Sequence, residues 1–192
     1  ILVHSRKHIS DLLHRLESRG IPVISDRQGE LLKRPVVNAL MSVLNLVAHP
    51  SSKFAAISFA RSPISGLNDD QIHQIFSEKN ESENWWPIIE QRITSEKGKL
   101  LINHLSNLAL KGALHEVFDV VLDHSDLLMA YPDDTSRQNA ELWCSLVYNI
   151  GCEYGHDATE IYSHLQSLKK LENKGPQSIT VPSGGAVKIM TI

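Results

Sequence analysis

"LLKRPVVNALMSVLNLVAHP", residues 31–50, is the stretch that predicts the fold most clearly. Pro35 suits the first position of a helix, where a proline sacrifices no hydrogen bond and already has a helical φ. The apolar residues after it recur at spacings of three and four, which predicts one buried stripe: Val36, Val37, Leu40, Met41, Leu44 and Val47. The segment "HPSS" at 49–52 then ends the helix. The stretch therefore predicts a helix of the core.

Helical periodicity continues from here through most of the chain. A short helix is predicted at 53–60, followed by the loop "RSPISGL" at 61–67. Asn68 is predicted to cap the next helix, because Gln71 stands three residues on and completes a capping box. Further amphipathic helices are predicted near 85–93, 99–110, 114–129, 138–154 and 158–171.

Strand patterns occur only on either side of these helices. Ile1–Val3 and Val23–Ile24 are apolar, and the residues between them predict a helix that begins after Ser5 and ends at Gly20. A strand, a helix and a strand form a βαβ unit, whose strands are parallel. Val187–Ile192 is a further strand after the helices. The predicted fold class is mostly α with a small α/β part, in which a partial parallel βαβ sheet is interrupted by a large all-helical insertion.

The composition bounds the function classes. The chain has 192 residues, 42% of them hydrophobic and 21% charged, which is ordinary for a globular protein. A net charge of −3 and a pI of about 6.4 argue against a strongly basic nucleic-acid binder, taken as a whole. No apolar run approaches the ~20 residues of a membrane span. The sequence starts with Ile1 rather than Met, and we expect it to be a piece of a longer protein.

The residues of this sequence that could take part in catalysis do not form a known catalytic motif. There is neither a G-x-S-x-G nucleophile elbow nor a G-x-x-x-x-G-K-[ST] phosphate-binding loop. The ten histidines are interpreted as surface or partly satisfied residues, so no metal site is predicted. Cys144 and Cys152 lie eight residues apart in a helical stretch and are predicted to be reduced, structural thiols. No catalytic residue is predicted within the chain.

Two features suggest binding rather than catalysis. Trp85–Trp86 offers rings for stacking on bases, but adjacent helical residues point about 100° apart, so packing between helices is the favoured interpretation. The loop at 61–67 precedes a capped helix, and backbone amides at a helix N-terminus bind phosphate. Asp69 and Asp70 oppose that binding because they repel anions. These features alone do not name a function.

Three stretches follow one another in an order known from one protein family. "ILVHSRKHISDLLHRLESRGIPV" (1–23) has an apolar strand, a helix and then G-I-P before the next strand. "LLKRPVVNALMSVLNLVAHPSSKFAAISFARSPISGL" (31–67) has an R-P-x-V start, an apolar helix and an R-S-P-x-x-G-L loop, and "VKIMTI" (187–192) is a strand ending in M-T-I. In this order they resemble the second RecA-like motor domain of UvrD/Rep-type DNA helicases, RecB/AddA-like branch. Residues from about 77 to 183 carry little of the resemblance.

The resemblance implies an ATP-dependent DNA helicase that translocates on single-stranded DNA and unwinds duplex in repair and recombination. It implies a partial RecA-like motor domain (2A) at 1–33 and 184–192, and an inserted helical subdomain (2B-like) at 34–183 that contacts DNA or partner proteins. ATP and Mg²⁺ would bind the parent protein. Neither is expected on the chain itself, which has no P-loop and is predicted to be inactive alone.

Site residues are carried over one by one. His4 stands where the family has an arginine near the ATP γ-phosphate, and Arg6 follows two residues on, so both are predicted nucleotide contacts. A histidine cannot make the bidentate fork of an arginine, which is a departure from the family pattern. Thr191 matches the motif V threonine beside the DNA backbone, and the loop faces duplex DNA in relatives. The predicted DNA contacts are Thr191, Arg61, Ser62 and Gly66.

A second hypothesis stays open at this point: a non-catalytic helical module for protein–protein interaction. The mildly acidic balance favours it, whereas the three ordered motifs favour the helicase. On the helicase hypothesis the partners are single-stranded and duplex DNA and other repair or recombination subunits, with no membrane. The expected location is the bacterial cytoplasm, at the nucleoid.

Overall fold

The structure is a computed structural model. It describes residues 2–3, 12, 15–16, 19, 21, 23–25, 31–77, 84–94, 96–111, 114–170 and 187–191. In chain order the elements are β1 Leu2–Val3, β2 Val23–Ser25, a 3₁₀ turn η1 Leu31–Lys33, α1 Pro35–Ala48, α2 Lys53–Ala60, α3 Asp69–Phe76, α4 Trp86–Arg92, α5 Glu96–Lys111, α6 Leu114–His124, α7 Leu127–Ala130, α8 Asp134–Tyr154, α9 Ala158–Lys170 and β3 Val187–Thr191. Within these ranges no helix is both long and apolar enough to cross a membrane.

The predicted core helix is α1, and it is the centre of the helical body. Pro35 occupies its first turn, after Arg34 in an extended conformation. Ten of its 14 residues are buried, including Ser42 and Asn45. A helix that is buried on most of its surface must be surrounded, and α1 packs against α2, α8, α9 and η1. It ends at His49, since the following proline disfavours a helical residue before it.

Aromatic pairs fill the core between the helices. Trp143 of α8 meets Phe118 of α6 edge to face, with ring centroids 4.7 Å apart. The adjacent tryptophans at the start of α4 pack against different helices. Trp85 packs on Phe76 of α3, and the ring centroid of Trp86 lies 5.5 Å from that of Phe59 of α2. The packing role predicted for Trp85–Trp86 is confirmed, because both side chains are buried and neither ring is open to a base.

The first and last helices of the body lie side by side and antiparallel. At one end Lys169 of α9 donates to the side chain of Asn38 of α1, at 2.9 Å. At the other end Thr159 Oγ1 lies 3.5 Å from the carbonyl oxygen of Ala48. The chain therefore enters and leaves the helical body at the same side.

The α/β part of the predicted fold class is wrong. The helical body extends from η1 to α9, and strand structure among the described residues is confined to segments of two, three and five residues. The strand order is β1–β3–β2, with β3 parallel to both others, so β1 and β2 are not neighbours as the two strands of a βαβ unit would be expected to be. Two of these three segments are at or below the shortest strands usual in globular proteins, about 3 residues, and helices make up most of the described residues. The helix predicted after Ser5 lies mostly outside the described residues.

Most helix boundaries match the predictions to within one residue, α5 begins three residues earlier than predicted, and two further differences follow from local hydrogen bonds. Helix α2 spans the predicted 53–60. The predicted helix 114–129 is instead divided into α6 and α7, because Ser125 Oγ donates to the carbonyl of Val121 and accepts from the amide of Leu127. Helix α8 begins earlier than predicted, since the Asp133 side chain accepts from the amide of Ser136 and caps it.

Candidate nucleic-acid interface

The loop at 61–67 connects α2 to α3 and is held by short hydrogen bonds. The amide of Arg61 still bonds to the carbonyl of Ile57, and the amide of Ser62 bonds to Phe59, so the helix turn tightens as it ends. Ser65 Oγ donates at 2.7 Å to the carbonyl of Ala60. These bonds give the loop a definite shape without help from a ligand.

The two loop serines face inward. Ser62, a predicted DNA contact, is 9% exposed, and its hydroxyl donates at 2.7 Å to the carbonyl of Phe59. Ser65 is 2% exposed, and its oxygen also accepts from the amide of Leu67. Both hydroxyls are therefore engaged in forming the loop, and the geometry favours a shaping role for Ser62.

Gly66 provides the sharp bend before α3. Its φ is +63°, in the left-handed region that residues with a side chain rarely adopt. A Cβ at this position would meet no atom within 4 Å, so the backbone conformation and not crowding requires glycine. The exposed backbone at Gly66 is thus open to a ligand such as a phosphate.

The N-terminus of α3 is not an open anion site. Asn68 and Gln71 form the predicted capping box, in which each side chain bonds to the other residue's amide at 2.9 Å. Asp69 and Asp70 occupy the first turn and repel anions. Gln71 also donates to the carbonyl of Arg92, which ties α3 to the end of α4. These features disfavour the phosphate-binding hypothesis for this helix end, because the capping box occupies the amides of Asn68 and Gln71 and two carboxylates stand beside the remaining ones.

Arg61 is the charged group that the loop presents to solvent. Its side chain is exposed, and among the described residues its guanidinium makes no hydrogen bond or ion pair. Such a group retains its five donors for an external anion. Of the residues predicted for this loop, Arg61 is therefore the one best placed to bind a phosphate.

One sequence signal around this loop was missed. Residues 31–68 contain four basic residues (Lys33, Arg34, Lys53 and Arg61) and no carboxylate, whereas the whole chain has 19 basic and 22 acidic residues. The rest of the chain therefore holds 15 basic against 22 acidic residues. The net charge of −3 conceals this separation, because the positive segment is averaged with an acidic remainder.

The other predicted contacts lie at the short strands. His4 and Arg6 fall outside the described residues. Thr191 is the last residue of β3 and is aligned with Val3 at the end of β1. The carboxyl ends of these two parallel strands therefore lie at the same edge of the sheet. In the sequence, Thr191 is distant from the 61–67 loop.

A cavity of about 470 Å³ lies between α6, α8 and α9 and brings several titratable groups together. His115, Asp119, Cys144, Tyr148 and His156 all line it. Burial raises the pKa of the Cys144 thiol to about 12, and the carboxylates of Asp119 and Glu141 act in the same direction. A thiol this weakly acidic stays protonated near neutral pH and is not a nucleophile. The cavity is therefore not a catalytic site built on Cys144.

Neither cysteine is in a disulfide; Cys144 is partly buried in the cavity wall, whereas Cys152 is exposed on α8. Across the described ranges, no group of three or more His, Cys, Asp or Glu residues is arranged to hold a metal ion.

Comparison with known proteins yields relatives of one kind, while no protein-family model matches the chain. The AddA subunit of the ATP-dependent helicase/nuclease from Oceanobacillus iheyensis is 21% identical over 196 aligned positions, which cover 91% of this chain and 15% of the relative. The protein of the same name from Streptococcus pneumoniae strain CGSP14 is 24% identical over 122 residues (63% of this chain, 10% of the relative). In Bacillus cereus strain AH820 a 72-residue match (38% of this chain, 6% of the relative) is 31% identical.

These relatives are UvrD/Rep-type, RecB-like helicases, so the predicted resemblance is confirmed. The match is with the AddA subunits of ATP-dependent helicase/nucleases. The chain spans only 6–15% of the length of these relatives.

Proposed function

We propose that this chain is the segment of an ATP-dependent DNA helicase/nuclease subunit in which a helical subdomain interrupts the second motor domain. The observation that carries the proposal is the match to an AddA helicase/nuclease subunit over 91% of the chain and within 15% of the relative. The parent protein would use ATP and Mg²⁺ to move along single-stranded DNA and unwind duplex. The chain alone is expected to be inactive.

The arrangement of the helical body supports an insertion. Because α1 and α9 lie side by side, a chain that leaves the motor domain before α1 returns to it after α9 at nearly the same place. Leu31 and Leu32 of η1 are buried in the core of the helices. We therefore place the start of the inserted subdomain a few residues before residue 34, with the segments at 1–30 and 184–192 in the motor domain.

The 61–67 loop is the proposed DNA contact of this subdomain. Arg61 supplies a charged fork for a backbone phosphate, and the exposed backbone at Gly66 allows close approach. Thr191 is proposed to touch the DNA backbone in the motor domain, and His4 and Arg6 to lie near the nucleotide. Working on DNA, the parent protein would act in the bacterial cytoplasm at the nucleoid.

The test is an Arg61→Ala change in the intact polypeptide that contains this chain. Binding to a tailed duplex should weaken about tenfold, because one charge-assisted contact is lost. The slope of log K against log salt should fall by about one unit, since one fewer counterion is released. Arg137→Ala is the matched control, because Arg137 is also exposed but lies on α8. If Arg61→Ala behaves like Arg137→Ala, the loop is not a DNA contact.

A second candidate function, docking of a partner protein, rests on a different surface. Leu100 of α5 is 71% exposed and borders an apolar groove of about 320 Å³ between α5 and α6. The relatives are named subunits, so a companion subunit is a natural occupant. A Leu100→Glu change should release that companion from the purified complex and leave DNA affinity unchanged. An intact complex would remove this candidate.

A further inference from the structure

Phe54 is the aromatic side chain that the helical body does not use. It is 73% exposed, whereas Phe59 and Phe118 are fully buried and Phe76 packs on Trp85. All four phenylalanines of the chain are thereby accounted for, and three of them stabilise the core. A large apolar ring in water contributes little to the stability of the fold, which leaves it available to a binding partner.

Helix geometry places Phe54 and Arg61 on one face of α2. Seven residues separate them, which corresponds to about 20° around the helix axis and about 10.5 Å along it. Ser58 lies between them, and its hydroxyl donates to the carbonyl of Phe54. We call these three residues the α2 outer face.

The opposite side of α2 is fixed in the core. Ala55, Ala56 and Phe59 are each 0% exposed, and Phe59 packs on Trp86. The helix also has a capped start, since Ser52 Oγ accepts from the amide of Ala55. Because α2 cannot rotate without breaking these contacts, the ring of Phe54 and the guanidinium of Arg61 are presented to solvent together.

Electrostatics indicate which partner fits this face. It lies in the 38-residue segment 31–68, which has four basic residues and no carboxylate, so this segment attracts a polyanion, while Asp69 and Asp70 directly after it reduce that attraction at the α3 end of the loop. An aromatic ring beside an arginine is the combination that binds single-stranded nucleic acid, where a base stacks on the ring and the cation meets the backbone. Bases inside a duplex are already stacked on each other and must be unstacked before they can contact such a ring, so an unpaired base is the favoured partner.

We propose that Phe54 stacks on an unpaired base of the DNA whose backbone Arg61 contacts, so that the α2 outer face binds the junction between single strand and duplex. This inference rests on the proposed function and deepens it by specifying the form of DNA. Phe54 supplies recognition of the unpaired base, and Arg61 supplies phosphate contact.

The experiment compares Phe54→Ala, Phe54→Trp and Met129→Ala in the intact polypeptide that contains this chain. Met129 is 78% exposed on α7 and controls for the loss of an exposed apolar side chain. The probes are a blunt duplex and duplexes tailed on either strand, with 2-aminopurine at the first unpaired positions. Thermal unfolding of each variant checks that the fold is unchanged.

Phe54→Ala should weaken binding to one tailed duplex roughly 5- to 100-fold, with the salt slope and blunt-duplex affinity unchanged. It should also abolish the change in 2-aminopurine fluorescence on binding. Phe54→Trp should retain both, because indole stacks at least as well. Met129→Ala should match the unaltered protein.

The outcomes separate this inference from the proposed function. If Arg61→Ala weakens binding and Phe54→Ala does not, the stacking inference is wrong and the loop remains a DNA contact. If Phe54→Ala weakens binding to tailed and blunt duplexes equally, the stacking inference is also wrong. It is likewise wrong if the variant leaves DNA binding intact and instead releases a protein partner. If neither variant affects DNA binding, the DNA-contacting role of the loop itself is wrong.

Discussion

The α2 outer face with the 61–67 loop differs from the cavity between α6, α8 and α9 in what its polar groups are doing. In the loop, Ser62 and Ser65 are engaged with the backbone, while Arg61 is exposed without a partner among the described residues. In the cavity, more titratable groups lie together, but burial keeps the Cys144 thiol protonated. The loop therefore offers a charged group to an external ligand, whereas the cavity offers no ionised thiol near neutral pH.

The largest expected effect concerns Cys144. With a pKa of about 12, only about one thiol in ten thousand is ionised at pH 8. Alkylation of Cys144 in the native protein should therefore be roughly 100-fold slower than that of a free cysteine, because the stronger nucleophilicity of a less acidic thiolate offsets part of the lost ionisation. The single-thiol variants Cys152→Ser and Cys144→Ser separate the two rates, and the exposed Cys152 should react much faster than Cys144. Rapid modification of Cys144 would show that the cavity holds a reactive thiol, which would contradict the contrast between the cavity and the loop.

Substitutions of Trp143 test whether the region beside the cavity has only a structural role. It is fully buried against Phe118, so Trp143→Ala should lower the free energy of unfolding by about 3–5 kcal/mol, measured in denaturant. The indole N–H has no hydrogen-bond partner among the described residues. Trp143→Phe should therefore cost clearly less, because it removes an unsatisfied donor while retaining most of the ring packing. Equal losses in the two variants would contradict this account.

Gly66 tests whether the loop's shape matters for binding. Gly66→Ala should destabilise the fold by about 1–2 kcal/mol, because φ is +63°. Gly155 is a matched control: its φ is +70° and its Cβ would also meet open space. Gly155→Ala should cost a similar amount of stability but leave DNA affinity unchanged, whereas Gly66→Ala should weaken both. Identical DNA affinities would show that the loop geometry is irrelevant to binding.

The smallest effect is a pH dependence at the start of α8. The hydrogen bond from Ser136 lowers the pKa of Asp133 from its usual value of 3.8. A carboxylate with a lowered pKa stabilises the fold above about pH 4, and this contribution is lost as the pH falls through the folded-state pKa. Because the group is exposed, the contribution should be below about 1 kcal/mol.

Asp133→Asn keeps a capping side chain but removes the charge. The difference in unfolding free energy between this variant and the unaltered protein should disappear as the pH falls below 4. A difference that persists at pH 2 would assign the effect to the cap geometry instead.

Much of the helical architecture was predictable from local chemistry. Pro35 and the apolar stripe after it located α1, and the pair Asn68–Gln71 located the capping box of α3. The break at Ser125 was not predicted, because apolar periodicity runs across it and only the side-chain bonds reveal the turn. The α/β part was wrong because short apolar runs indicate strands without showing how many residues pair or in which order.

The candidate site was predictable in part. The order of the three stretches led to the loop and to Arg61, but the inward orientation of Ser62 depends on packing against α2. Phe54 was not singled out, since an apolar residue at the start of a short helix is usually part of a core. Its exposure became evident only when the opposite face of α2 was found against Trp86.

The sequence by itself determined the positions of most helices, the absence of catalytic motifs and the resemblance to RecB/AddA-like helicases, because helix starts and apolar periods are local properties. The tertiary structure decided that the ends of the helical body meet, that β3 lies between β1 and β2, and that Phe54 and Arg61 share a solvent-facing surface. These features depend on which surfaces pack against each other, and packing joins residues that are far apart in the chain.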